Sequence, residues 1–225
     1  MTLTLQVLGS TETITLDGFR GIVAGYTGRD AAAVQHHIDE LAAIGVAPPP
    51  EVPMFYPVEA QTVNSGAEYT DSENLTSGEI EPVYIRHAGV YYLGVGSDHT
   101  DRDLERADIG DSKRACPKPV SREVIRIGDL DDLAAFSLDE AAARCSVDGK
   151  RYQEGTLGGL RTPHDIATRL IDRLDLADDE DFVCLGGTLP LLDGAFTAGE
   201  RWTVEIELAD GTRLAHDYRM KGHAA

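Results

Sequence analysis

Apolar residues alternate with polar ones over Thr2 to Leu8 and again over Thr13 to Leu16, with Gly9-Ser10 between, which predicts two strands joined by a turn. Gly21 to Tyr26 is a short apolar run and predicts a third strand. Val34, Ile38, Leu41 and Ile44 then recur at helical spacing behind the N-cap residue Asp30, and Gly45 with Pro48-Pro49-Pro50 marks where that helix should stop. Beyond Met54 the pattern is mostly that of strands. Glu79 to Ile85 and Val90 to Ser97 flank His87-Ala88-Gly89 and predict a hairpin. Helical patches are expected near Asp103 to Asp108 and over Leu138 to Arg144. Thr162-Pro163 opens a further helix with the stripe Ile166, Leu170, Ile171 and Leu174. Phe182 to Leu185 reads as a buried strand, and the alternation of Trp202, Val204, Ile206 and Leu208 predicts another, turned by Asp210-Gly211 into Arg213 to Met220.

Strands dominate this order, and the few short helices do not alternate with them regularly. The pattern predicts a mixed α/β, β-dominated fold and disfavours a Rossmann or barrel enzyme. The Pro-rich stretch at 48–57 separates N-terminal strands and a lid helix, residues 1–57, from a main body, residues 58–225, within what is expected to be one compact unit.

Charge changes the picture. The 225 residues carry 39 Asp and Glu against 20 Lys and Arg, a formal net charge of −19. Nucleic acid and anionic membrane surfaces are therefore poor partners. The cations are 16 Arg and only 4 Lys: Lys113, Lys118, Lys150 and Lys221. A carboxylate-rich, lysine-poor surface stays hydrated where salt screens charge within ~3 Å, so a halophilic cytosolic protein is expected. Cys116, Cys145 and Cys184 are an odd number with no paired spacing, which fits a reducing cytoplasm and no zinc site. Met1 to Gln6 has no basic leader, and no apolar run approaches a spanning length. Neither a phosphate-binding Gly-rich loop nor a Ser nucleophile elbow occurs.

Glu79 and Glu81 lie two apart, so on a strand they share one face, which continues as Val83 and Ile85. A buried carboxylate pair is costly without a counter-charge, and a divalent cation is one remedy. With Ala88-Gly89 as the turn, Glu79 faces Asp98 and Glu81 faces Gly96. Gly94 and Gly96 would leave room there for an ion or ligand. Three carboxylates around a gap are hard oxygen donors of the kind Mg²⁺ takes. The alternative is an exposed edge strand with solvated acids, its register free to slip by one.

Five segments then follow in one order: Glu79-Ile-Glu81, Ser97-Asp-His-Thr-Asp-Arg-Asp103, Asp111-Ser-Lys-Arg-Ala-Cys-Pro117, Tyr152-Gln-Glu-Gly-Thr156 and Gly187-Thr-Leu-Pro190. No single one is specific, but together they resemble the fumarylacetoacetate hydrolase superfamily. Gly25-Tyr26, His37-Ile-Asp-Glu40, Pro50 and Met54-Phe55 resemble the N-terminal part of the same family, most closely an uncharacterised short branch. Three departures stand out. The spacing from Glu-x-Glu to Asp is short, Gly-Thr-Leu-Pro replaces Gly-Thr-Pro, and Ser77-Gly78 stands where the family often has His.

The resemblance implies a mixed β-roll or β-sandwich with a few short helices, a homodimer, and Mg²⁺, or Mn²⁺ or Ca²⁺, held by Glu79, Glu81 and Asp98. It implies catalytic roles for Lys113 and for a His37–Glu40 dyad, three residues apart on one helix face, in which Glu40 orients the imidazole and His37 activates water. It implies substrate contacts from Arg102, Gln153 and Thr188. The implied activity is metal-dependent C–C bond hydrolysis of a small 2-oxo or 1,3-diketo acid through a metal-stabilised enolate. Decarboxylation, hydration or tautomerisation on the same scaffold is the alternative, as is a non-catalytic metabolite-binding protein.

Overall fold

A computed structural model describes residues 2–43 and 47–222, and the side chains of His37, Glu40 and Leu41 lie outside that description. So do Ile44 and Gly45, where the first helix was expected to end. The chain runs through β1 (Thr2–Val7), β2 (Thr13–Asp17), β3 (Arg20–Gly25), α1 (Ala31–Ala43), β4 (Met54–Val58) and β5 (Glu68–Thr70). Next come β6 (Ile80–His87), β7 (Val90–Ser97), α2 (Arg102–Glu105), α3 (Ile109–Arg114), β8 (Glu123–Gly128) and α4 (Leu130–Ala135). It ends with β9 (Ala142–Val147), β10 (Lys150–Thr156), α5 (Pro163–Leu174), β11 (Phe182–Leu185), β12 (Arg201–Glu207) and β13 (Arg213–Lys221).

One sheet has the order β2-β1-β8-β7-β6-β11-β3-β4, and a second the order β10-β9-β12-β13-β5. β6 and β7 occupy the middle of the larger sheet and are covered on both faces. Ile80, Tyr84, Leu93 and Val95 pack into a core shared with Trp202, Val204 and Tyr218 of the smaller sheet. Val83, Ile85 and Tyr92 face the opposite side, against Leu3, Leu5, Leu16 and Val124. Burial on both faces is why this hairpin reads as almost continuously apolar.

The hairpin turns at Ala88 and Gly89, with φ of 49° and 77°, the left-handed pair a two-residue turn demands. Glu81 therefore pairs with Gly96, and the Asp98 N–H donates to the Glu79 carbonyl at 2.9 Å, in the register the sequence predicts. The expected space at Gly94 and Gly96 is not there. A Cβ on Gly96 would lie 2.8 Å from the Pro119 carbonyl and 2.8 Å from Val83. Gly96 bridges Val120, so the missing side chains admit a strand of the protein itself.

Asp30 caps α1 by accepting the Ala32 N–H at 2.8 Å, and Thr162 caps α5 by accepting that of Asp165 at 3.2 Å. The helix expected over Leu138 to Arg144 is not formed. Ala142–Val147 is β9, paired on both sides, with Ala143, Cys145 and Val147 inward. Alanine-rich local preference yields there to two ladders of sheet hydrogen bonds. The helix stands earlier, at α4, where Asp129 and Asp132 form a reciprocal cap. The patch expected near Asp103 to Asp108 is split into α2, capped by Asp101, and α3, capped by Asp108. No helix among the described residues is long and apolar enough to cross a membrane.

Candidate functional site

Asp98 follows directly on β7 and is fully buried. Lys113, delivered by α3, donates to Asp98 Oδ2. Lys118 Nζ lies 3.3 Å from Oδ1, an ion pair without hydrogen-bond geometry, so Oδ1 accepts no hydrogen bond. Burial alone would raise the Asp98 pKa, but the two ammonium groups outweigh it and hold the carboxylate well below its usual range.

Glu81 is 2% exposed and accepts the Gly187 N–H at 2.7 Å. Burial, and then the charge of Asp98, push its pKa well above the usual carboxylate range. Gly187 has φ of +106°, and a Cβ there would collide with the Thr27 hydroxyl, so glycine alone lets this N–H reach Glu81. Two neighbouring buried carboxyls are thus pushed apart in acidity, the arrangement often found where proton transfer or cation binding occurs.

Burial works against the charge of Lys113, yet Asp98, Glu81 and Glu79 raise its pKa and keep it an ammonium. Its Nζ lies 5.9 Å from the centroid of the Tyr56 ring, and burial pushes the Tyr56 hydroxyl up to about 12. Lys118, fully buried, has its pKa lowered by burial and also donates to the His99 and Cys116 carbonyls.

Glu79 turns away from Glu81 and Asp98 to pair with Arg102 Nη2 at 2.9 Å. Arg102 is almost wholly buried. Its Nε donates to Ser77 Oγ at 2.7 Å, its Nη1 to the Glu105 carboxylate at 2.9 Å and its Nη2 also to the Ser77 carbonyl at 3.3 Å. The Phe196 ring centroid stands 3.8 Å from its Cζ. Burial disfavours this guanidinium's charge, but Glu79 and Glu105 more than restore it.

Gln153 and Thr188 form one brace. Gln153 Oε1 accepts the Ile80 N–H at 2.9 Å, and its Nε2 donates to Thr188 Oγ1 at 2.9 Å and to the Leu189 carbonyl at 2.6 Å. Thr188 Oγ1 donates to the Ile80 carbonyl at 2.7 Å. The pair pins the Gly-Thr-Leu-Pro segment to the first residue of β6.

Of the residues read from the sequence, the structure brings together Glu81, Asp98 and Lys113, places Glu79 with Arg102 beside them, and sets Gln153 and Thr188 behind β6. His37 and Glu40 lie on α1, but their side chains are outside the described residues. The sequence assigns no site role to Lys118, Gly187, Ser77 or Phe196. Lys118 had a signal in the sequence: with only four lysines, two fall within six residues.

The donor set suits a hard cation in part. Asp98 Oδ1 is a buried carboxylate oxygen with no hydrogen bond, and Glu81 is a second buried oxygen donor that feels its charge. Glu79 would have to leave Arg102 to join them. Among the described residues no three His, Cys, Asp or Glu side chains converge as an ion would require.

A family profile described as "Protein of unknown function (DUF2848)" matches residues 24–218. No curated protein matches the chain. Solved structures share its fold. One, from Oleispira antarctica, is provisionally assigned as a fumarylacetoacetate isomerase/hydrolase. It has a TM-score of 0.61 and 16% identity, with 96% of this chain and 98% of that one covered. The 5-carboxymethyl-2-hydroxymuconate delta-isomerase of Mycobacterium smegmatis has a TM-score of 0.54 and 18% identity, over 90% and 79%. The fumarylacetoacetate hydrolase of Exiguobacterium antarcticum has a TM-score of 0.55 and 11% identity, over 94% and 84%. The fold is the one these structures share, as the sequence motifs implied.

Proposed function

This chain belongs to the DUF2848 family, and on that footing we propose that it is an enzyme acting on a 2-oxo or 1,3-diketo acid, with C–C bond hydrolysis as its reaction. The observation that carries the reading is the buried Glu81–Asp98–Lys113 cluster at the open end of the β6–β7 hairpin. Buried ions of both signs, with an unsatisfied oxygen among them, are costly to fold and are retained where they act. The solved neighbours support the reading, being named for hydrolysis and isomerisation of fumarylacetoacetate or a hydroxymuconate.

Glu81 and Asp98, joined by Glu79, would hold a divalent cation, Mg²⁺ in our reading with Mn²⁺ or Ca²⁺ as alternatives. The ion would supply Lewis-acid polarisation of the substrate's oxo group. The protein's own groups prepare the rest. Lys113 brings a fixed positive charge to the place where negative charge develops on a substrate oxygen. Lys118 anchors Asp98 from the opposite side, and the Gly187 N–H fixes Glu81. Gln153 and Thr188 stiffen the start of β6, between Glu79 and Glu81. Water activation by His37, oriented by Glu40, rests on the sequence resemblance. The isomerase neighbour favours tautomerisation as a second reading. We place the enzyme in the cytoplasm as a homodimer, with its acidic surface adapted to salt.

Thermal unfolding with Mg²⁺ or Mn²⁺ tests the cation. The ion should stabilise the wild type and lose that effect in Asp98→Asn and Glu81→Gln. An equal shift in all three proteins removes the site.

A further inference from the structure

We infer that this site selects a monoanionic oxo acid with an apolar or aromatic tail over a dicarboxylic one, and that Phe196 sets the preference. The inference deepens the proposed function and rests on it.

Charge supplies the first argument. The described residues around the site include the carboxylates Glu79, Glu81, Asp98 and Glu105 and the cations Arg102, Lys113 and Lys118. Each cation is already engaged. Arg102 spends its Nε, Nη1 and Nη2 on Ser77, Glu105 and Glu79. Lys113 is on Asp98, and Lys118 is shared between Asp98 and two carbonyls. One substrate carboxylate can be met by a bound cation at Glu81 and Asp98. A second would be desolvated beside four carboxylates whose three neighbouring cations, Arg102, Lys113 and Lys118, are already engaged.

Exposed apolar surface supplies the second. The large apolar side chains that stand exposed among the described residues are Leu104, Leu130, Leu192 and Phe196. Three of these four belong to the two segments that meet at Arg102. Leu104 is two residues along α2, while Leu192 and Phe196 are on the loop after Leu191. Phe196 lays one face on the Arg102 guanidinium and remains 42% exposed, leaving apolar area beside the site. A tail packed there gains burial without any new counter-charge.

Tyr152 adds a polar contact for such a tail. The β9–β10 register shifts at Cys145/Ser146, so Tyr152 is an extra residue, and both it and Gln153 point inward. Bulges of this kind re-aim side chains next to active sites. Gln153 uses this placement for its brace. The Tyr152 hydroxyl is buried beside the Ser77 side chain and the Thr197 backbone, and neither meets it in full hydrogen-bond geometry. It is a donor for a carbonyl oxygen on the tail.

The test compares three probes on the full chain with Mg²⁺: 2,4-dioxopentanoate, 2,4-dioxo-4-phenylbutanoate and its 4-carboxyphenyl analogue. Affinity is read by calorimetry, or kcat/KM where a probe is consumed. The phenyl compound should be favoured over the carboxyphenyl compound by about tenfold or more, the range a single apolar group commands in a pocket. Phe196→Ala should erase that preference, with a loss for the phenyl compound about tenfold larger than for 2,4-dioxopentanoate, while Phe196→Leu, which keeps an apolar cover, should retain most of it. Equal or better use of the carboxyphenyl compound overturns the inference. So does a Phe196→Ala loss of equal size for all three probes, which would make Phe196 only a cover for Arg102. If 2,4-dioxopentanoate is not bound at all, the oxo-acid reading fails and this inference fails with it.

Discussion

Lys118 Nζ lies 3.3 Å from Asp98 Oδ1, and neither side chain reaches solvent. Asp98 thus answers two ammonium groups, one from α3 and one from the chain just beyond it. Removing one partner of a buried ion pair typically costs 3–5 kcal/mol, because the other is left uncompensated. Lys113 remains beside Asp98, so Lys118→Met should cost about 3 kcal/mol in urea unfolding. A loss below about 1 kcal/mol would mean that Lys118 contributes nothing to holding Asp98.

Gly96 separates two accounts of the hairpin. If the absent side chain admits the Pro119–Val120 backbone, Gly96→Ala overpacks a filled space and should cost about 1–3 kcal/mol. If it left room for a ligand, the variant would keep its stability and lose only binding. Chemical denaturation beside a metal titration distinguishes them.

Thr188→Val removes a hydroxyl that serves both the Ile80 carbonyl and the Gln153 amide. Gln153 keeps the Leu189 carbonyl, so losing these two hydrogen bonds should cost about 1 kcal/mol. Metal binding should weaken in parallel, because the same brace sets the start of β6. A Thr188→Val protein with unchanged unfolding midpoint would show that the brace is redundant.

His216 on β13 is nearly buried, with Nε2 3.1 Å from the Gly66 carbonyl, and burial lowers its pKa. The unfolded chain then takes up its proton more readily than the folded one. The stability tied to a neutral His216 is fully present above the ordinary imidazole value of about 6.5 and is lost as pH falls below it. Wild-type unfolding free energy should therefore drop more steeply between pH 6.5 and 5 than that of His216→Gln. Identical slopes would sink this assignment.

The sequence made legible what depends on neighbouring residues. Ala88-Gly89 set a two-residue turn, and that turn alone determined that Glu79 meets Asp98 across the hairpin. Thr162 and Pro163 placed the start of α5. What stayed hidden depends on distant partners. Leu138 to Arg144 reads as a helix until its second half, from Ala142, is taken into β9 between β10 and β12. Glu79 reads as a carboxylate without a counter-charge until Arg102, 23 residues on, pairs with it. Gly96 reads as a gap until the chain returns at Val120 to fill it. The cluster of Glu81, Asp98 and Lys113 was readable through family motifs, whereas Lys118 needed the fold to bring it under Asp98.

Turnover of a panel of acylpyruvates and related oxo acids with Mg²⁺, at low and high salt, tests the central claim most directly when Asp98→Asn and Glu81→Gln are run beside the wild type. The account predicts turnover of at least one member by the wild type and a loss of about 100-fold or more in both variants, the scale set by removing a group that stabilises developing charge. Turnover that survives unchanged in both variants, or no turnover of any member by the wild type, would contradict it.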